Sequence, residues 1–333
     1  MKYDVYGMGN ALVDKEFEVS DAFLAEQSIE KGLMTLIDED KHHELLNGLQ
    51  ASFGLKKRAG GGSAANTVVS VSQFGGKTFY ACKVANDEFG QFYQHDLQAA
   101  GVDTGLDRLN ADGVTGKCMV MVTPDAERTM NTFLGITADF SAAEVHMDEL
   151  RESAYLYVEG YLVTSDVSRN AVLEARKVAR EAGVKMAYTF SDPSMVTYFK
   201  AGVDEVIGDG VDILFCNEEE ALIYTGADSI EAAVEQLITK TDKLVVTLGR
   251  EGALVANSDG SQIRVPTQTV EAVDTNGAGD MFAGAFLYGV TQGMSDEQAA
   301  TLANRAAGQI VTVFGARLDR EVQQQVLAEV VAA

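Results

Sequence analysis

Short, strongly apolar runs alternate with amphipathic stretches along most of this 333-residue chain. The runs Val5-Tyr6-Gly7-Met8, Thr78-Phe79-Tyr80-Ala81-Cys82, Tyr155-Leu156-Tyr157-Val158, Ile213-Leu214-Phe215-Cys216 and Leu244-Val245-Val246-Thr247 are short and rich in β-formers. Continuous apolar runs of this length fit strands that are covered on both faces. Helical periodicity fills the intervals 63–74, 87–100, 165–182, 218–224 and 230–239. That alternation predicts an α/β fold: a doubly wound, mostly parallel sheet flanked by helices. From 277 to 333 the pattern becomes successive helices, broken near Gly293 and Gly315.

Two regions break the rhythm. Residues 11–38 and 113–134 alternate polar and apolar side chains, as strands with one exposed face do. In the second, Thr123-Pro124-Asp125-Ala126-Glu127-Arg128 reads as a turn joining strands over 117–122 and 129–134. Together they predict a small β-sheet lid over the parallel core. No Pro/Ser-rich linker, repeat or low-complexity tract interrupts the chain, so 1–333 is expected to be one domain with the lid strands inserted.

Composition narrows the partners. The 50 acidic against 26 basic side chains give a formal charge of −24, whereas nucleic acid and anionic membranes demand a basic face. Neither is expected as a partner. The same charge repels nucleotides at long range, so a phosphate site here calls for Mg²⁺. Cys82, Cys118 and Cys216 are odd in number and widely spaced, which suits core packing in a reducing compartment. The start, Met1-Lys2-Tyr3-Asp4, runs into a charged, strand-like segment without a signal-peptide stretch, and no apolar run reaches membrane-spanning length. A cytoplasmic protein is expected.

Five loci can carry chemistry. In Asp274-Thr275-Asn276-Gly277-Ala278-Gly279-Asp280, two glycines flank Ala278 at the start of an apolar helical stretch. The first turn of a helix leaves backbone N–H groups unpaired at the positive end of its dipole, and glycines keep side chains out of the way of a phosphate. Asp280 beside such a cradle can take a proton from an attacking hydroxyl. The second locus, Gly60-Gly61-Gly62-Ser63-Ala64-Ala65-Asn66, opens another helix, with Ser63 as a candidate N-cap and the Asn66 amide placed to bind hydroxyls. Near the first strand, Gly9-Asn10 and Asp14 form the third; a carboxylate suits vicinal sugar hydroxyls. The fourth, Asn217-Glu218-Glu219-Glu220, lies at the carboxyl end of a strand, the ligand-binding edge of such sheets. There Glu220 can organise a hydrated Mg²⁺. Thr247-Leu248-Gly249-Arg250-Glu251-Gly252 also follows a strand; its glycines either let a nucleotide lie flat or make a hairpin turn. Each locus alone also fits a plain capped helix, acidic first turn or loop.

In combination these segments resemble the ribokinase-like (PfkB) family of carbohydrate and nucleoside kinases, in the right order over nearly the whole chain. Residues 274–280 match that family's signature Asp-Thr-x-Gly-Ala-Gly-Asp, Gly61-Gly62 with Asn66 is similar to its first signature, and 217–220 to its Asn-x-x-Glu motif. Gly9-Asn10 with Asp14, Asp38-Glu39-Asp40-Lys41-His42 and the run 211–217 are most similar to adenosine kinases. The resemblance implies that Asp280 is the catalytic base and that the backbone of Gly277, Ala278 and Gly279 is the anion hole. It implies acceptor binding by Asn10, Asp14, Gly61, Gly62 and Asn66, with Arg128 of the lid reaching the transferring phosphate and Tyr161 as an aromatic wall. ATP is implied at Asn217, Thr247, Gly249 and Gly252, with Asn304 and Ala307 lining the adenine pocket. Mg²⁺ is implied through water on Glu220, and a monovalent cation, K⁺ in many members, near Asp274. Three positions depart from adenosine kinases: Thr35 near a base-contacting Gln, Ser194 where an aromatic clamp is expected, and Glu159 at the wall where Tyr161 keeps an aromatic ring.

The expected activity is therefore ATP-dependent phosphorylation of a primary hydroxyl on a nucleoside, adenosine-like, or on a sugar. The alternatives are a sugar or sugar-acid kinase (ribose, fructose or 2-keto-3-deoxygluconate type) and a non-catalytic nucleoside- or sugar-sensing protein. An exposed lid either closes a monomer or pairs in a lid-mediated homodimer. A Walker loop fails because Gly76-Lys77-Thr78 precedes a strand; Gly7-Met8-Gly9 lacks the rest of a dinucleotide fingerprint. His42, His43, His95 and His146 lack metal-ligand spacing, and His42 and His43 read as exposed helix residues.

Overall fold

The computed structural model describes residues 1–106 and 111–332. The chain opens with β1 (Tyr3–Met8), β2 (Leu12–Glu18), α1 (Asp21–Glu26), β3 (Met34–Leu36), α2 (Glu39–Ser52) and β4 (Lys57–Gly61). Next come α3 (Ser63–Phe74), β5 (Thr78–Ala81), α4 (Glu88–Ala100) and β6 (Asp103–Thr104). The hairpin β7 (Gly116–Val122) and β8 (Arg128–Phe133) precedes α5 (Met147–Arg151), β9 (Ser153–Glu159), α6 (Asp166–Ala182) and β10 (Lys185–Thr189). Then follow α7 (Pro193–Tyr198), α8 (Lys200–Ile207), β11 (Val211–Asn217), α9 (Glu218–Thr225), α10 (Ile230–Leu237), β12 (Thr241–Thr247), β13 (Ala253–Asn257) and β14 (Gln262–Val265). Three helices close the chain: α11 (Ala278–Thr291), α12 (Asp296–Ile310) and α13 (Arg320–Val331).

Two sheets result. The larger has the order β14-β13-β12-β11-β10-β9-β1-β5-β6, parallel from β12 to β6 with an antiparallel edge at β13 and β14. Side chains alternate across a strand, and the core divides accordingly. Val5, Tyr155, Tyr157, Ile213 and Val245 pack under α3, α4, α11 and α12. Tyr6, Leu156, Val158, Leu214 and Val246 pack on the other face under α6 to α10. The two apolar layers explain why these strands read as unbroken hydrophobic runs. Because β1 has β5 on one side and β9 on the other, the chain changes winding direction there. Ligand crevices of open α/β sheets form at that point, beyond the carboxyl ends of the strands.

The second sheet, of order β3-β8-β7-β2-β4, is the lid. Its hairpin pairs Val122 with Arg128. β4 was not legible: Lys57-Arg58-Ala59-Gly60-Gly61 has neither apolar alternation nor β-branched residues, and only pairing with β2 makes it a strand. The lid's outer face is covered by its own helices, with Phe23 and Leu24 of α1 and Leu45 and Leu49 of α2 packed against Phe17, Met119 and Met121. His42 is a correction. It lies on α2 but is buried, with neither ring nitrogen hydrogen-bonded, and burial together with Lys117 and Lys15 pushes its pKa down to about 4. The three cysteines are buried and unpaired. Among the described residues no helix is long and apolar enough to cross a membrane.

Candidate active site

A cavity of about 620 Å³ lies between the carboxyl edge of the large sheet and the inner face of the lid. The strands supply its walls in register: Asn10 follows β1, Glu159 ends β9, Asn217 ends β11 and Thr247 ends β12. From the lid come Leu12 and Asp14 of β2, Met34 and Leu36 of β3, and Arg128, Met130 and Thr132 of β8. Their spacing of two is the pleat of strands that each turn one face inward.

At the cavity floor α11 begins. Its N-cap is Gly277 at φ 74°, with no side chain capping the turn; the Ala278 amide donates to the Thr275 carbonyl at 3.3 Å, while among the described residues the Gly277 and Gly279 amides have no acceptor and remain available to an anion. Asp280 stands in this first turn. Its Oδ1 accepts a hydrogen bond from the Ser63 hydroxyl at 2.6 Å and its Oδ2 one from the Asn66 amide at 3.0 Å. Burial raises its pKa, against the opposing pull of those two donors and of Arg128 and Arg317. Ser63 thereby takes a role its position did not suggest. α3 starts at Ser63 itself with Gly62 as N-cap, so the hydroxyl is free of capping and turns to Asp280. Gly62 has φ 101°, and a Cβ there would stand 2.2 Å from the Asn10 carbonyl oxygen, so only glycine fits between the two loops.

Two further buried carboxylates line the cavity, Glu159 at the end of β9 and Glu220 in the first turn of α9. Glu159 is fully buried; its Oε1 accepts from the Asn10 amide at 2.7 Å and its Oε2 from the Ala64 amide at 2.8 Å. It therefore ties the loop after β1 to the start of α3, and burial still pushes its pKa up to about 8. Glu220 forms a reciprocal capping box with Asn217: Oε2 accepts from the Asn217 amide at 2.9 Å, and the Glu220 amide donates to Asn217 Oδ1 at 2.7 Å. Burial pushes Glu220 up to about 7. Asp14, buried and beside Glu16, is also raised well above the usual carboxylate range, chiefly by burial. Arg128 is opposed by burial but held charged by Tyr161, Asp192 and Asp280. The Tyr161 hydroxyl donates to Asp192 at 3.5 Å.

Fourteen of the expected site residues line this one cavity: Asn10, Asp14, Gly62, Asn66, Arg128, Tyr161, Asn217, Glu220, Thr247, Gly249, Gly277, Ala278, Gly279 and Asp280. Five stand outside its wall. Gly61 makes room for Asp14, whose carboxylate would lie 2.1 Å from a Cβ there. Gly252, at φ 94°, turns the chain between β12 and β13 against the Val265 carbonyl. Asn304 donates to the Val265 carbonyl at 2.8 Å, holding the segment after β14, and Ala307 packs against the core. Both Asp274 oxygens accept backbone bonds, from Asn276 at 2.8 Å and Gly315 at 2.8 Å. Among the described residues no three His, Cys, Asp or Glu side chains gather as a metal cluster.

Buried carboxylates make stability depend on pH. Glu16 is fully buried with no partner on either oxygen and is pushed up to about 7 by burial; burial also raises Glu159 and Glu220, to about 8 and about 7, against the pull of their hydrogen bonds. Each binds its proton more tightly in the fold than in the unfolded chain. Their contribution is whole below the ordinary carboxylate range, declines as pH rises above it and is gone above about 7 to 8. His42 acts only below its ordinary range, so it does not mask this window. Raising the pH from about 6.5 to about 8.5 is expected to lower Tm by roughly a few degrees, and Glu16→Gln to flatten that slope. A flat Tm across the window, in calorimetry at constant ionic strength, contradicts it.

Comparison with known proteins agrees with this architecture. Residues 33–323 match the family described as pfkB family carbohydrate kinase. The chain is 36% identical to the adenosine kinase from Sinorhizobium meliloti, whose crystal structure superposes with a TM-score of 0.94 and full coverage of both chains. It is 32% identical to a probable sugar kinase from Rhizobium etli, also at a TM-score of 0.94, over 100% of this chain and 99% of that one. Fructokinase-1 of Oryza sativa is 32% identical over 251 residues, 72% of this chain and 76% of that protein. The match over most of the length, with the fold to go with it, makes this chain a member of the pfkB family of carbohydrate kinases, phosphotransferases that act on hydroxyl groups.

Proposed function

We propose that this enzyme transfers the γ-phosphoryl group of ATP to the primary hydroxyl of a nucleoside, with adenosine the first acceptor to test, in one catalytic unit closed by its lid. The observation that carries the reading is the meeting of Asp280 with Asn66 and Ser63 at the open start of α11, beneath the lid. The acceptor sugar lies between Asp14, the Gly62 backbone and Asn66. Its hydroxyl faces Asp280, which takes the proton as the phosphoryl group arrives. Amides of residues 277–279 face the charge that develops on that group. Arg128 reaches in from the lid, and lid closure excludes water. The nucleotide lies along Asn217, Thr247 and Gly249, within reach of the same turn.

The donor set suits Mg²⁺. Glu220 spends Oε2 on the Asn217 amide; among the described residues nothing donates to Oε1, and Glu218 and Glu219 share the wall. One free carboxylate oxygen with acidic neighbours fits a cation that keeps most of its waters. Bound there, Mg²⁺ supplies charge neutralisation for the phosphates. For K⁺, Asp274 remains the candidate, though its oxygens already serve two backbone amides.

The lid favours a nucleoside over a free sugar. Leu12, Met34, Leu36, Cys118, Met130 and Leu134 give the cavity an aliphatic roof. A base offers such a surface an apolar face, whereas each hydroxyl of a hexose buried there without a partner costs about 1–3 kcal/mol. Ser194, in place of an aromatic clamp, is buried and bonded to Asp192, so aliphatic contact takes over from ring stacking. ADP release measured over a panel of nucleosides and sugars, at fixed ATP and Mg²⁺, tests the reading. Adenosine or another nucleoside is expected to exceed ribose and fructose by about tenfold or more in kcat/KM; a sugar in first place overturns the acceptor assignment. In the same assay Asn66→Ala is expected to raise the acceptor KM and to lower kcat, because Asn66 also holds Asp280, with KM for ATP unchanged. A rise confined to ATP means the two subsites are reversed.

A further inference from the structure

Behind the Asp280 carboxylate lies a chain of contacts that leaves the cavity altogether. Asn66 Oδ1 accepts a hydrogen bond from Arg317 Nε at 2.8 Å, and the Arg317 guanidinium is ion-paired through Nη1 with Asp96 of α4. Arg317 sits in the segment between α12 and α13; it is 12% exposed and is not part of the cavity wall. The backbone makes room for this pair: a Cβ at Gly60 would stand 2.3 Å from an Asp96 oxygen and 3.5 Å from Arg317 Nη2.

We propose that Arg317, pinned by Asp96, is a positioning residue for phosphoryl transfer: it fixes the Asn66 side chain so that the NH₂ group, not the carbonyl, faces the Asp280 carboxylate. This rests on the reading of Asp280 as the base. An Asn amide has two ends of nearly equal shape and opposite hydrogen-bonding sense. Arg317 has only donors, so it selects Oδ1 and leaves Nδ2 for Asp280. With the amide reversed, Asn66 sets its carbonyl against an ionised carboxylate and Asp280 loses the partner on Oδ2. The guanidinium also balances charge. Asp14 and Asp280 face the acceptor subsite together, and Arg317 favours the ionised form of both from behind. The other charged or titratable groups around Asp280 are Arg128 of the lid, Asp14 of β2, and Tyr157, Glu159 and Tyr161 on the β9 side. None of these contacts Asn66 Oδ1.

The test compares Arg317→Met, Asp96→Asn and Asp280→Asn with wild type by kcat, both KM values, the pH profile of kcat and Tm. Arg317→Met is expected to lower kcat about tenfold or more with KM for ATP within about twofold. It also moves the acid limb of the profile to higher pH, because Asp280 loses a cation that favours its ionised form. Asp96→Asn keeps the guanidinium but releases it; kcat falls and the acid limb does not move up. Wild-type kcat and acid limb in Arg317→Met overturn the proposal whatever its Tm, since a merely structural contact moves Tm alone. Should Arg317→Met not fold, wild-type kcat in Asp96→Asn overturns it. Asp280→Asn separates the two levels. Turnover retained there removes the base, whereas turnover lost there but kept in Arg317→Met removes only the role of Arg317.

Discussion

Asp280→Asn is expected to lower kcat by about 10²-fold or more while leaving ATP affinity within about threefold. The substitution keeps shape and volume, so the helix start and the amides of 277–279 stay where they are. Two things are lost. An amide cannot take a proton at neutral pH, and its NH₂ group cannot accept from Asn66, whose Nδ2 now faces it across the 3.0 Å hydrogen bond of the native site. Ser63 can still donate to the remaining oxygen, so folding is expected to survive. Rapid-quench measurement of ADP formation with adenosine, beside ATP titration by calorimetry, separates chemistry from binding. Turnover within about threefold of wild type means that another group, or water alone, takes the proton. The wild-type profile carries a sign as well. Burial raises the Asp280 pKa, and a base works only when deprotonated, so kcat falls as pH drops through that raised value.

Much of the fold was legible because its strands are buried on both faces. β1, β5, β9, β11 and β12 each stand as an apolar run that only a parallel sheet under two helical layers accommodates. α3 and α6 were equally plain, with Gly75 and Gly183 closing them in left-handed conformations. Alternation and a turn give the lid hairpin, but neither gives its register. What escaped were elements whose stability comes from their neighbours. β4 is a strand because β2 pairs with it; β14 is short and exposed at the sheet edge. α2 lays a buried His42 on the lid, which polarity alone placed in solvent.

The candidate site divides in the same way. Residues on signature turns, such as Gly62, Asn66, Gly277 and Asp280, are legible in the sequence because a glycine-rich turn before an apolar helix has a local physical reason. Ser63 reads as a cap in the sequence, since a serine at a helix start looks like one and nothing local says that it faces Asp280. Arg317 carried no signal. It is 251 residues from Asn66, on a segment without periodicity, and only the packing of α4, β4 and the α12–α13 connection brings them together. Glu159 stood out as an unexpected charge on the wall. Its two backbone partners tie the loop after β1 to the start of α3.

The glycines of the turn provide the second large effect, and they are expected to behave differently although they are two residues apart. Gly277 sits at φ 74°, and a Cβ there would stand 2.6 Å from both the Ala316 Cα and its carbonyl oxygen. Both are backbone atoms, so no side chain can swing away. Gly277→Ala therefore combines a left-handed alanine, costing about 1–2 kcal/mol, with displacement of either the segment at Ala316 or the turn itself. A total of roughly 2–4 kcal/mol in stability is expected, read as Tm or as the midpoint of urea unfolding. A movement of even about 1 Å at the amides costs on the order of 10²-fold in kcat. At Gly279 nothing lies within 4 Å of an added Cβ, and the residue is already helical. Gly279→Ala is expected to leave Tm unchanged or slightly raised, because alanine favours a helix over glycine by about 0.5–1 kcal/mol. Its methyl group would enter open space beside the phosphates in the proposed cradle, so the loss is expected as a higher KM for ATP and a lower kcat in a fully folded enzyme. Equal loss of stability in both variants contradicts the division of labour, and full activity in Gly279→Ala shows that the phosphates pass elsewhere.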